Sequence, residues 1–113
     1  MGLHFLFDGN RCQAQRLGER RWLIDALCDL VTTLGLTSVG TPQSFESSGG
    51  RTVAGIVLLS ESHASIHVDV AARRVHIDVF SCQSFDLIQA RIFCVQRFEP
   101  EHFEDRILER NLA

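Results

Sequence analysis

The sequence predicts an α+β domain, a two-layer α/β sandwich with two main helices packed on one face of an antiparallel sheet. Three observations carry that prediction. Apolar residues recur every three or four positions over residues 22–34, and FDLIQARIFCVQRF (85–98) fits a second helix. Strict alternation runs through SIHVDV (65–70) and RRVHIDVF (73–80), joined only by Ala71 and Ala72. The element order is strand, helix, several strands, helix and a last segment, which suits helices gathered over one side of a sheet.

Taken in order, LHFLFD (3–8) reads as a first strand, followed by the polar link GNRCQAQRLGER. Trp22, Leu23, Ala26, Leu27, Leu30, Val31 and Leu34 mark one helix face, and Gly35 is a natural stop. A strand is expected over 36–45, interrupted by Pro42 or beginning after it. ESSGGR then turns the chain, with Gly49 and Gly50 free to take unusual dihedrals. TVAGIVLL (52–59) is continuously apolar and reads as a central strand, broken by the polar Glu61, Ser62 and His63. In the alternating pair, Ile66, Val68 and Val70 share one face, opposite Ser65, His67 and Asp69. Val75, Ile77 and Val79 likewise lie opposite Arg74, His76, Asp78 and Phe80. Phe85, Phe93 and Phe98 suit helix packing. Beyond Pro100, EHFEDRILER fits either a last strand or a short helix.

At 113 residues and 45% hydrophobic content, the chain suits one domain spanning 1–113, with a modest core that a partner subunit would help to bury. A formal charge of -3 argues against nucleic-acid or membrane-surface partners, which need concentrated positive charge. No apolar run reaches membrane-spanning length and MGLHFLFDGNR lacks a signal-peptide pattern, so a cytoplasmic location is the expectation. Cys12, Cys28, Cys82 and Cys94 match no compact zinc spacing, so no metal is expected and the cysteines read as free thiols. Apart from Cys82, they need only be small core residues.

The chemistry gathers in SESHASIH and VHIDVFSC. A polar cluster between two apolar strands sets functional groups on a rigid scaffold. From spacing alone, Ser62 near histidines could be a hydrolase nucleophile, but it lacks the glycine-bounded elbow of α/β-hydrolases. Alone, His76 reads as a surface or hydrogen-bonding histidine.

Residues 55–59, then Ser60, Glu61, Ser62 and His63, then Ser65, Ile66 and His67, then IDVFSC (77–82) together resemble the prokaryotic S-adenosylmethionine decarboxylases, a family of small pyruvoyl enzymes. The resemblance implies self-cleavage between Glu61 and Ser62. The Ser62 oxygen attacks the Glu61 carbonyl, the resulting ester loses the α-proton of residue 62, and dehydroalanine hydrolyses to a covalent pyruvoyl cofactor. It assigns the elimination proton to His67 and proton return to the substrate to Cys82. His63 lies in the motif with either a site or a structural role. In turnover the pyruvoyl ketone would form a Schiff base with the substrate α-amine and accept the electrons left by CO2. The family also implies a homodimer of processed protomers with sites near the subunit interface. An uncut, non-enzymatic regulatory homologue is the contrasting reading.

For substrate, the family's aromatic and ribose-binding positions fall by ungapped alignment at Ser48, Asp69 and Ala71, none of which keeps the group. Phe45 approaches the site only if the alignment slips. Asp69 shares the face of Ser65 and His67, where a carboxylate suits the distal cation of a basic amino acid. Glu61 joins Asp69 as a candidate substrate contact, with Glu46 and Asp86 as further acidic candidates. The expectation is therefore L-ornithine, or L-arginine, with S-adenosylmethionine as the alternative. Each leads into polyamine synthesis.

Overall fold

The computed structural model describes residues 2–111. Six strands form one sheet: β1 (Gly2–Cys12), β2 (Ser38–Glu46), β3 (Thr52–Leu59), β4 (Ser62–Asp69), β5 (Arg74–Ser81) and β6 (Pro100–Arg110). Their order is β2-β3-β4-β5-β1-β6, antiparallel throughout. Helices α1 (Arg20–Thr33) and α2 (Leu87–Phe98) supply the second layer.

The core lies between that layer and one sheet face. Leu23, Leu27 and Leu30 of α1 and Ala90, Cys94 and Phe98 of α2 meet Phe7, Val53, Val57, Ile66, Val75 and Ile77, all fully buried or nearly so. Burying each large side chain contributes roughly 1.5–3 kcal/mol. Gly35, at φ 70, ends α1 by the left-handed turn that glycine adopts without a Cβ clash. Asp86 caps α2, its carboxylate accepting from the Ile88 and Gln89 N–H groups at 2.9 and 3.1 Å.

The expected fold is present, with instructive differences. The first strand runs well past residue 8, because β6 continues to pair with it at Asn10 and Cys12 after the β5 ladder ends at Gly9. The last segment is a strand, since β6 pairs with β1 along almost its whole length. The second strand starts at Ser38 and shifts register between Val39 and Gln43, where Gly40 (φ 75) and Pro42 interrupt regular pairing. The apolar run of β3 is buried on one face only: Ile56 and Leu58 stay 46% and 63% exposed. Cys28, expected in the core, is exposed on α1. Among the described residues, no helix is long and apolar enough to cross a membrane.

Candidate active site

The β3–β4 hairpin carries the motif. Leu59 pairs with Ser62, leaving Ser60 and Glu61 as the turn. The Ser60 N–H donates to the Thr37 carbonyl at 3.0 Å, tying the turn to the body. Glu61 takes φ 60, a left-handed conformation that costs a side-chain-bearing residue roughly 1–2 kcal/mol. The bond to Ser62 follows directly on this strained residue.

Ser62 pairs with Ser81, and its Oγ accepts the Cys82 N–H at 3.1 Å. The buried Ser81 hydroxyl donates to the Gln83 carbonyl at 2.6 Å and accepts the Gln83 N–H at 3.0 Å, fixing the chain as it leaves β5. Ser62 and Cys82, twenty residues apart, are thus neighbours. Cys82 is exposed, whereas burial pushes the Cys12 thiol up to about 11, opposed by the Arg73 guanidinium, and raises Cys94 further. Cys82 is therefore an accessible thiol beside Ser62, and Cys12 and Cys94 belong to the core.

His67 stands elsewhere. It lies five positions along β4, roughly 16 Å at strand rise. Strand alternation puts it on the open face, opposite the buried face shared by Ala64, Ile66 and Val68. Ser62 has the parity of that buried face. Within one chain, Ser62 and Cys82 come together and His67 does not join them.

Around His67, pairing forms a continuous row across the open face: Phe45 opposite Ala54, Ala54 opposite His67, His67 opposite His76, and His76 opposite Asp8. Phe45, 62% exposed, and His67 line one cavity of about 240 Å³ with Ala54 and Ile56. A second hollow of about 420 Å³ continues past Ile56 to Leu58 and Val39. Phe45 thus shares a cavity with His67, a juxtaposition that position-by-position alignment does not show. A residue across two strands is visible only through the pairing.

The other sequence candidates divide. Asp69 does share the face of His67, but its Oδ1 accepts the Ala72 N–H at 3.2 Å within the β4–β5 turn. Glu61 and Glu46 are exposed, and Asp86 is committed to capping α2. Ser48 and Ala71 lie in the two connections that close the His67 end of the sheet. His63 rests beside Phe80 at 5.7 Å between ring centres, and Arg110 stacks on that ring at 4.8 Å. Two hydrogen-bonded histidine–carboxylate pairs join β1 to β5 without a signal in the sequence: His4 with Asp78 at 3.0 Å and His76 with Asp8 at 2.6 Å. Alternation gives their faces, but only the β1–β5 register brings them together.

Residues 3–111 match the family described as S-adenosylmethionine decarboxylase. A relative from Archaeoglobus fulgidus, named S-adenosylmethionine decarboxylase proenzyme, is 33% identical over 97% of this chain and 97% of its own. One of the same name from Methanococcus maripaludis is 29% identical over 99% of this chain and 91% of its own. The crystal structure of the Aquifex aeolicus adenosylmethionine decarboxylase superposes with a TM-score of 0.80 at 23% identity, covering 100% of this chain and 92% of that one, which shows the shared fold. The chain belongs to the S-adenosylmethionine decarboxylase family, pyruvoyl-dependent carboxy-lyases whose cofactor is made from a serine of the chain itself by self-cleavage.

Proposed function

We propose that the chain cuts itself between Glu61 and Ser62, converts residue 62 to the pyruvoyl group, and decarboxylates S-adenosylmethionine. The residues fit that group. It requires a serine whose hydroxyl attacks the preceding carbonyl, and Ser62 follows a strained left-handed residue in a tight turn with its Oγ held by the Cys82 N–H. Attack exchanges the peptide C–N bond for an ester C–O bond. Removal of the α-proton of residue 62 then expels the Glu61 carboxylate and leaves dehydroalanine, which loses its nitrogen as ammonia by hydrolysis. His67 is the base for that proton, and Cys82 returns a proton to the decarboxylated substrate carbon. The pyruvoyl ketone supplies the electron sink for loss of CO2.

The working unit is a homodimer of processed protomers. Ser62 and His67 occupy opposite ends and faces of β4, so a complete site needs His67 from a second copy. The open sheet face also exposes Phe45, Ile56, Leu58 and Leu108, which a second copy would cover.

The observation that carries the substrate is the exposed Phe45 ring in the same cavity as His67. A flat apolar ring beside the reacting groups suits a nucleobase. Together with relatives named for S-adenosylmethionine along nearly their whole length, it favours that substrate over the basic amino acids that the altered positions suggest. A second reading, L-ornithine or L-arginine, keeps one observation: Asp69 stands on the face of His67, two positions along β4. Its carboxylate is already engaged by the Ala72 N–H, which weakens that reading.

The test is CO2 release by processed protein from equal concentrations of S-adenosylmethionine, L-ornithine and L-arginine. Preference for S-adenosylmethionine is expected, with Phe45→Ala raising its KM about tenfold, as loss of a stacking contact of roughly 1–1.5 kcal/mol requires. Preference for ornithine or arginine overturns the substrate and makes Asp69 the first specificity residue to change.

A further inference from the structure

We propose that His76 and Asp8 are positioning residues for His67, forming with it a row that sets its tautomer and takes up the proton it removes during self-processing. The inference rests on reading His67 as the elimination base. His67 lies directly opposite His76, and His76 directly opposite Asp8, on adjacent strands β4, β5 and β1. Directly opposed side chains have Cβ atoms about 4.5–5.5 Å apart. His76 Nδ1 meets Asp8 Oδ1 at 2.6 Å. An ionised carboxylate only accepts, so Nδ1 carries the proton, and in the neutral imidazole Nε2 keeps its lone pair.

The other neighbours of His67 do not offer that service. On the β3 side stands Ala54, which has no polar side-chain group. Along β4, Ser65 is buried and Asp69 is occupied by the Ala72 N–H. The charged groups around the pair on the same face are Arg74 and Asp78 along β5 and His102, Glu104 and Arg106 on β6. Asp78 is itself held by His4.

The balance is simple. As the C–H bond of residue 62 breaks and its electrons form the C=C bond, the ester C–O electrons leave with Glu61 and the proton goes to His67. Nε2 of His76 then accepts a hydrogen bond from the imidazolium, or the proton itself, while Asp8 stabilises the charge gained. All three residues belong to one chain, so they would reach the Ser62 turn of a second copy as a unit.

A half-exposed histidine–carboxylate pair can equally be a surface contact of little energetic value. The experiment separates the two by trapping the ester. Freshly made wild-type, His67→Ala, His76→Ala, His76→Gln, Asp8→Asn and Asp8→Glu chains are incubated with and without hydroxylamine, which splits an ester but not a peptide bond, and followed by intact mass. Expected is a hydroxylamine-sensitive ester in His67→Ala and in both His76 variants, its disappearance slowed about tenfold or more. Asp8→Asn should slow it less and Asp8→Glu should restore it, with Tm unchanged throughout. Because His76→Gln keeps a hydrogen-bonding group without a basic nitrogen, it tests the chemistry if His76→Ala disturbs the fold. Wild-type processing in His76→Gln alongside a trapped ester in His67→Ala overturns the row. Wild-type processing in His67→Ala overturns the role of His67 itself.

Discussion

Cys12 and Cys82 are one side chain in two environments. Cys12 is completely buried, and burial raises its thiol to about 11, while Cys82 stands exposed at the end of β5 next to Ser62. Iodoacetamide at pH 8 should therefore modify Cys82 and the exposed Cys28 in the native chain, and Cys12 and Cys94 only after denaturation, read by peptide mass mapping. Fast native labelling of Cys12 would contradict its burial. A raised pKa means that the folded state holds the proton more tightly. Its stabilising contribution is whole below the ordinary thiol value of 9.0 and is lost as pH rises towards about 11. Tm should fall through that window, and Cys12→Ala should flatten the fall. The sequence marked Cys82 as the reactive thiol through its motif, but it had no means of separating buried Cys94 from exposed Cys28.

At the scale of elements, the β3–β4 hairpin places backbone strain at the bond proposed for cleavage. Its two-residue turn contains no glycine, so Glu61 carries the left-handed conformation at the bond to Ser62. In a Ser62→Ala background, which keeps the chain whole, Glu61→Gly should stabilise the uncut protein by about 0.5–1 kcal/mol after the entropy of the more flexible unfolded chain is counted. That is a rise of roughly 2–6 °C in Tm by calorimetry. An unchanged or lower Tm would mean that no strain is stored there. The strands flanking the hairpin were legible because alternation survives in β4 and β5. The continuous apolar run of β3 hid the fact that one of its faces is open, since periodicity reports apolar content and not what covers it.

For the whole molecule, the decisive feature is a sheet with helices on one side only. Ile56, Leu58 and Phe45 stay exposed on the open side, and Ser62 and His67 stand on opposite faces of β4, so the proposed shared site draws on a second chain. Complementation tests both at once. Ser62→Ala and His67→Ala chains, each expected to fail alone, should together yield a processed His67→Ala chain, because a mixed dimer joins one intact Ser62 to one intact His67. Coexpressed chains that stay uncut would place both residues in the same protomer and overturn the shared site.

The sequence by itself determined the two-layer α+β class, the strand alternation of β4 and β5 and the helix faces, and its family resemblance singled out Glu61, Ser62 and Cys82 as the candidates for processing and catalysis. The elements follow from periodicity, which is local in the chain, and the candidates from a resemblance spread over short segments between residues 55 and 82. The tertiary structure decided what depends on register between distant strands. Only pairing across β2, β3 and β4 sets Phe45 in line with His67, and only the β1–β5 ladder brings Asp8 to His76. It also decided that Ser62 and His67, so close in sequence, stand apart. A strand rises about 3.3 Å per residue and alternates its faces, so an odd spacing of five divides two side chains that a motif writes side by side.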